Sequence, residues 1–110
     1  MPRYLIQASY TSTAVAAFVS QPQERTAGIL AITEKLGGEL ISLDFCLGEY
    51  DVIGIVSLAD DKVAAAFSLA VNAPGHLNNY RTTRLLSSEE FLEAQEQAHA
   101  LHPYEAPKIP

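Results

Sequence analysis

The segment from Tyr50 to Leu58 (YDVIGIVSL) constrains the fold more than any other in the chain. In an extended strand successive side chains point to opposite faces, so Val52 and Val56 fall on one face and Ile53 and Ile55 on the other. Both faces are apolar and both need cover, which places this strand in the interior of a sheet. Just before it, Glu39 to Leu47 alternates Ile41, Leu43, Phe45 and Leu47 with Ser42, Asp44 and Cys46, the pattern of a strand with one buried face. Only Gly48-Glu49 separates the two runs, and so short a connection predicts an antiparallel hairpin.

The flanking segments supply the partners of that hairpin. Tyr4 to Tyr10 (YLIQASY) reads as a first strand, ended by Thr11-Ser12-Thr13, where a threonine hydroxyl can cap a short helical turn over Ala14 to Val19. Pro22 suits a first helical position and predicts a restart there, with Ile29, Ile32 and Leu36 on the apolar face. Gly37-Gly38 ends that helix, because glycine enters the left-handed conformation without a Cβ penalty. Beyond the hairpin, Asp60 can cap a helix from Asp61 to about Asn72, with Val63, Ala66, Phe67 and Ala70 at helical spacing. Pro74-Gly75 stops it. Leu77 to Leu86 reads as a fourth strand. Ser87 and Glu90 have capping-box spacing, which predicts a last helix running to about Leu101. The final nine residues, His102 to Pro110, contain three prolines and form an extended tail.

The fold class predicted is α+β: a ferredoxin-like βαββαβ unit with a four-stranded antiparallel sheet, plus a C-terminal helix and tail. Residues 1–101 form one domain and 102–110 an appendage. With 48% hydrophobic and 18% charged residues, the composition is that of a globular chain. A net charge of −6 repels phosphate backbones and anionic lipid surfaces, so nucleic acid and membranes are not expected partners. The lone cysteine, Cys46, forms no internal disulfide, and it is expected as a small buried apolar side chain. The N-terminus lacks signal-peptide order, so a cytoplasmic setting is expected. Helices over only one sheet face leave the other apolar face open, which predicts a homo-oligomer.

Five pieces of the sequence, in order, resemble the GYD-domain proteins: Pro22-x-x-Arg25, Glu34-Lys35-Leu36-Gly37-Gly38, Leu47-Gly48-Glu49-Tyr50-Asp51, Arg81-Thr82-x-x-Leu85 and Ser88-Glu89-Glu90-Phe91. The resemblance covers roughly Tyr4 to Leu92. It implies a dimeric α+β barrel in which two ferredoxin-like sheets pack face to face, and it implies no particular activity. By analogy of fold, ligands lie between sheet and helices. The tail element His102-Pro103-Tyr104-Glu105-Ala106-Pro107 is similar to one in the CutA divalent-cation-tolerance proteins, although here it follows a complete ferredoxin-like unit and a further helix instead of lying inside the unit.

Candidate site residues follow from chemistry. Tyr50 and Asp51 at a strand start can present a phenol and a carboxylate at a pocket rim, where burial favours proton transfer. Alternatively, Asp51 serves the turn by binding backbone N–H groups and Tyr50 packs on the sheet. Arg81 and Arg84 leave opposite sheet faces; one is available to an anionic ligand, the other to an ion pair with a carboxylate such as Asp51. His76, after Pro74-Gly75, is a loop histidine whose ordinary pKa suits acid–base work. Glu96, His99, His102 and Glu105 offer nitrogen and carboxylate ligands for a divalent metal ion, or else a solvated polar face. The proline-rich tail can also lie along a neighbouring subunit's sheet edge.

Three functions therefore compete. The first is a non-catalytic homo-oligomer binding a small molecule or metal ion, the second a small cofactor-independent isomerase or monooxygenase, and the third an assembly protein using its C-terminal arm. There is no phosphate-binding glycine loop, CxxC pair, GxSxG elbow or HExxH helix in the sequence.

Overall fold

The computed structural model describes all residues from Met1 to Pro110. Eight elements follow one another: β1 (Arg3–Tyr10), α1 (Ser12–Ser20), α2 (Thr26–Lys35), β2 (Glu39–Phe45), β3 (Val52–Ser57), α3 (Asp61–Asn72), β4 (Leu77–Leu85) and α4 (Ser88–Ala100). The strands form one antiparallel sheet in the order β2-β3-β1-β4. This is the ferredoxin-like α+β order, with β1 and β3 in the middle as the two-sided apolar character of β3 requires.

Tyr4, Val56, Leu58, Ala64 and Phe67 form the core, and Ile29, Ile32, Leu36, Val63 and Val71 pack against it. Tyr4 is only 2% exposed, and its hydroxyl finds a partner by donating to Asp61 Oδ1 at 2.6 Å. Arg84 closes this end of the sheet, lying over the Tyr4 ring at 6.0 Å and pairing with Asp61 at 3.7 Å and Glu90 at 4.0 Å. The apolar face of α2 is the one its spacing predicts. On α3 the phase is one residue different: Ala64, not Ala66, is buried beside Phe67.

Both glycines after α2 are needed, for different reasons. Gly37 has φ of 73° and donates to Glu34 O at 2.9 Å, while Gly38 N donates to Thr33 O at 3.0 Å, the paired bonds of a Schellman cap. Gly38 also presses against β3: a Cβ there would meet the Ser57 carbonyl and come within 2.6 Å of Leu58 Cδ2.

The start of α2, the end of β2 and the register of β2 differ from the sequence reading. Helix α2 starts at Thr26 and not at Pro22, because the Glu24 carboxylate accepts from Thr26 N at 2.7 Å and Ala27 N at 3.3 Å. Strand β2 ends at Phe45, and the connection runs from Cys46 to Asp51, closed by Cys46 N donating to Asp51 O at 2.8 Å. Leu47 is consequently exposed and Cys46 only half-buried. A register shift between Leu40 and Ser42 moves Ile41 out of the alternation, so Leu40, Leu43 and Phe45 form the inward face.

Helix α4 has the expected capping box: Ser87 Oγ accepts from Glu90 N at 3.1 Å, and Glu90 Oε1 accepts from Ser87 N at 3.0 Å. None of its residues is buried. The Cα radius of gyration, 18.2 Å, exceeds the ~13 Å of a compact chain this long, because α4 and the tail stand away from the sheet.

Gly38→Ala should cost about 3 kcal/mol through overpacking, against about 1 kcal/mol for Gly37→Ala, which only strains the backbone. Urea denaturation of both variants checks this order.

Candidate functional site

Alternation along the central strands puts Tyr4, Ile6, Ala8 and Tyr10 of β1, and Val52, Gly54 and Val56 of β3, on the helix side. At one end, Tyr4 and Val56 meet Phe67 and Leu58 in the solid core. Toward the other end the strands offer Ala8 and Gly54, which have little bulk, and a cavity of about 210 Å³ opens between the sheet, α2 and α3. Fourteen of its nineteen lining residues are hydrophobic, among them Ile29, Ile32, Leu43, Phe45, Phe67 and Val71.

Polar groups gather at few points on this wall. The Tyr80 hydroxyl accepts from Ser68 Oγ at 3.1 Å; burial raises its pKa, and bonds to Ser68 and Thr82 oppose the rise. Tyr10 stands edge-on to Phe18 of α1, ring centroids 4.8 Å apart. Burial pushes the Tyr10 phenol up from its ordinary value, with Arg25 opposing and Asp51 adding to the rise. Arg25, immediately before α2, and His76, before β4, complete the polar end of the cavity.

Of the four ligand-binding residues expected from the sequence, only His76 lines this cavity. Asp51 does the work of the turn: its Oδ2 accepts from Tyr10 N at 2.8 Å, and its own N–H donates to Ala8 O at 2.9 Å. Strand β3 begins at Val52, so the carboxylate supplies the acceptor that the ladder lacks opposite Tyr10. Tyr50 is half-buried in the same connection. Arg81 pairs with Gln7 and therefore lies on the open sheet face, whereas Arg84 pairs with Tyr4 on the helix side. The two arginines do leave opposite faces, but the ion pairs of Arg84 are with Asp61 and Glu90 and not with Asp51. Glu96 and His99 stand on exposed α4, and His102 and Glu105 in the exposed tail. No three histidine, cysteine, aspartate or glutamate side chains come together as a metal-holding group, so those four are not assembled.

Sequence reasoning missed Tyr10, Tyr80 and Arg25 as cavity residues. Tyr10 shares the parity of Tyr4, Ile6 and Ala8, which was the available signal for its inward direction. Arg25 precedes its helix, and nothing local says that α2 carries it over the sheet end.

The sheet order and its one-sided helix layer define a ferredoxin-like α+β domain with a lined, solvent-open cavity. The sequence model of the GYD domain matches residues 4–94, and the chain belongs to the GYD-domain family. No curated protein and no solved structure matches it. No helix is long and apolar enough to cross a membrane.

Asp51→Ala should lower stability by about 1 to 3 kcal/mol, since it leaves the Tyr10 N–H unsatisfied. Asp51→Asn keeps a carbonyl acceptor and should recover most of that loss. Equal losses in urea denaturation would instead mean that the carboxylate's charge matters.

Proposed function

We propose that this protein binds a small, largely apolar molecule in the cavity between its sheet and helices α2 and α3, and does so as a homo-oligomer. The observation that carries the reading is the wall itself: an apolar chamber with a few polar groups is the usual make-up of a ligand site. Its volume, about 210 Å³, lies below the ~300 Å³ at which drug-sized pockets begin, so the occupant is small. Apolar cavities of roughly 150 Å³ hold one benzene molecule, which sets the scale.

Self-association is supported on the other side of the sheet. Leu5, Ile53, Ile55 and Leu85 point away from the helices and are only partly covered. Apolar faces of that kind mark interaction surfaces in soluble proteins. Cavity and open face lie on opposite sides, so association through the sheet leaves the cavity accessible. The unburied helix α4 favours a second reading, in which the C-terminal arm builds the assembly.

Toluene should shift amide resonances of Ile32, Val52 and Val71 in a nitrogen–proton correlation spectrum of the intact protein, and Ala70→Phe, which puts a ring into the cavity wall, should abolish those shifts. No shift in the parent protein would sink the binding reading. Light scattering after size exclusion should give more than one subunit. Ile55→Arg should yield a folded monomer; if removing residues 102–110 dissociates the assembly and Ile55→Arg does not, the arm is the interface.

A further inference from the structure

The chemical class of the occupant can be read from the polar end of the cavity, given the binding reading above. Arg25 is half-buried there, yet it belongs to neither of the chain's ion pairs, both of which are made by Arg84. Its guanidinium has one long hydrogen bond, donated to Gln23 Oε1 at 3.4 Å. The nearest acidic residue in sequence, Glu24, spends its two oxygens on the backbone N–H groups of Thr26 and Ala27, which also fills the N-terminus of α2. The guanidinium lies beside Gly28, where even a Cβ would sit 3.7 Å from Nη2, so the helix leaves the arginine room against the cavity wall.

Tyr10 completes the arrangement. Its phenol, raised by burial, keeps its proton at neutral pH and remains a donor. Asp51, the carboxylate that adds to that rise, accepts from the Tyr10 backbone N–H. An arginine without an ion-pair partner and a protonated phenol thus stand on the wall of a mainly apolar chamber, with His76 on the same wall, in a chain whose net charge is −6. Five donors in a planar fork match a carboxylate better than any neutral group.

We propose that the cavity takes a small amphiphilic monocarboxylate, its apolar body between Ile29, Ile32, Phe45 and Val71 and its carboxylate on the Arg25 guanidinium and the Tyr10 hydroxyl. The volume accommodates one aromatic ring, or a branched chain of similar bulk, with a two-carbon acid arm.

The test compares phenylacetate with its neutral isostere phenylacetamide by isothermal titration of the full chain at pH 7, alongside toluene as the neutral probe. Phenylacetate should bind about ten- to hundredfold more tightly than the amide, as charge-assisted bonds to a partly buried arginine warrant. That advantage should vanish in Arg25→Gln, which removes an unpaired side chain outside the core and leaves the fold intact by circular dichroism. Tyr10→Phe should reduce acid binding and leave toluene binding in place. If toluene binds while acid and amide bind equally, or if Arg25→Gln keeps the preference for the acid, the carboxylate assignment fails and the cavity reading survives. If none of the three probes binds, the cavity reading fails, and the assignment with it.

Discussion

The close seat of α2 on the end of β3 organises the molecule. Gly38 lets the chain leave the helix against the Ser57 carbonyl and Leu58, so the C-terminal end of α2 is held tight over the sheet. Thr33, completely buried on the same turn, turns its hydroxyl back to donate to Ile29 O at 2.7 Å and spends no polar group on the core. With Leu58, Tyr4, Val56 and Phe67 packed beneath, this end is solid. The opposite end of α2 has no such anchor, and below it the strands present Ala8 and Gly54. A Cβ on Gly54 would lie 3.1 Å from Leu43 Cδ1 and 3.2 Å from the Ser42 carbonyl, so a side chain on the cavity floor would press on β2. One helix held down at one end, over strands that thin to Ala8 and Gly54, produces a core and a chamber on the same face of one sheet.

Much of this was legible in the sequence where a local rule and the global fold agree. The two apolar faces of β3 required an interior strand, Gly37-Gly38 required a helix stop, and Ser87 with Glu90 required a cap; each is present. The misreadings arose where several solutions satisfy the same pattern. Leu40 and Ile41 are both apolar, so alternation alone cannot show that a bulge takes Ile41 out of register. Pro22 is compatible with a helix start, but a glutamate two residues on offers the actual cap. The site was harder. Its polar end joins the last residue of β1, the residue before α2 and the residue before β4, three points 15 and 51 positions apart in sequence, and only the packing of α2 across the sheet brings them to one place.

The Gly48-Glu49-Tyr50-Asp51 element shows how a family's most visible residues can serve its architecture. Besides the Asp51 N–H bond to Ala8 O, the loop around Gly48, where φ is 135°, is tied to β1 by two side-chain bonds: Asp51 Oδ2 accepts from Tyr10 N, and Ser9 Oγ donates to Glu49 O at 2.9 Å. Both bonds fall where β1 runs beyond the start of β3, so the element substitutes for missing ladder bonds. It reaches the cavity only through Tyr10, whose backbone it fixes and whose ring it thereby aims.

The distribution of positive charge narrows what the cavity can hold. Arg3 and Arg81 belong to the open face, since their strand partners Ser57 and Gln7 point away from the helices. Arg84 is engaged by Asp61 and Glu90 at the solid end. Lys35, Lys62 and Lys108 are exposed and take no part in the cavity wall. Of seven lysines and arginines, Arg25 alone lines the chamber, and it makes no ion pair there. A buried guanidinium without a counter-charge is costly to desolvate, so a half-buried one on the wall of an apolar chamber stays partly in water. A ligand that displaces that water must replace its hydrogen bonds, and a purely hydrocarbon occupant cannot. Under the proposed assignment the apolar wall would set how much a molecule gains by entering, and Arg25 would favour an occupant that brings its own hydrogen-bond acceptors.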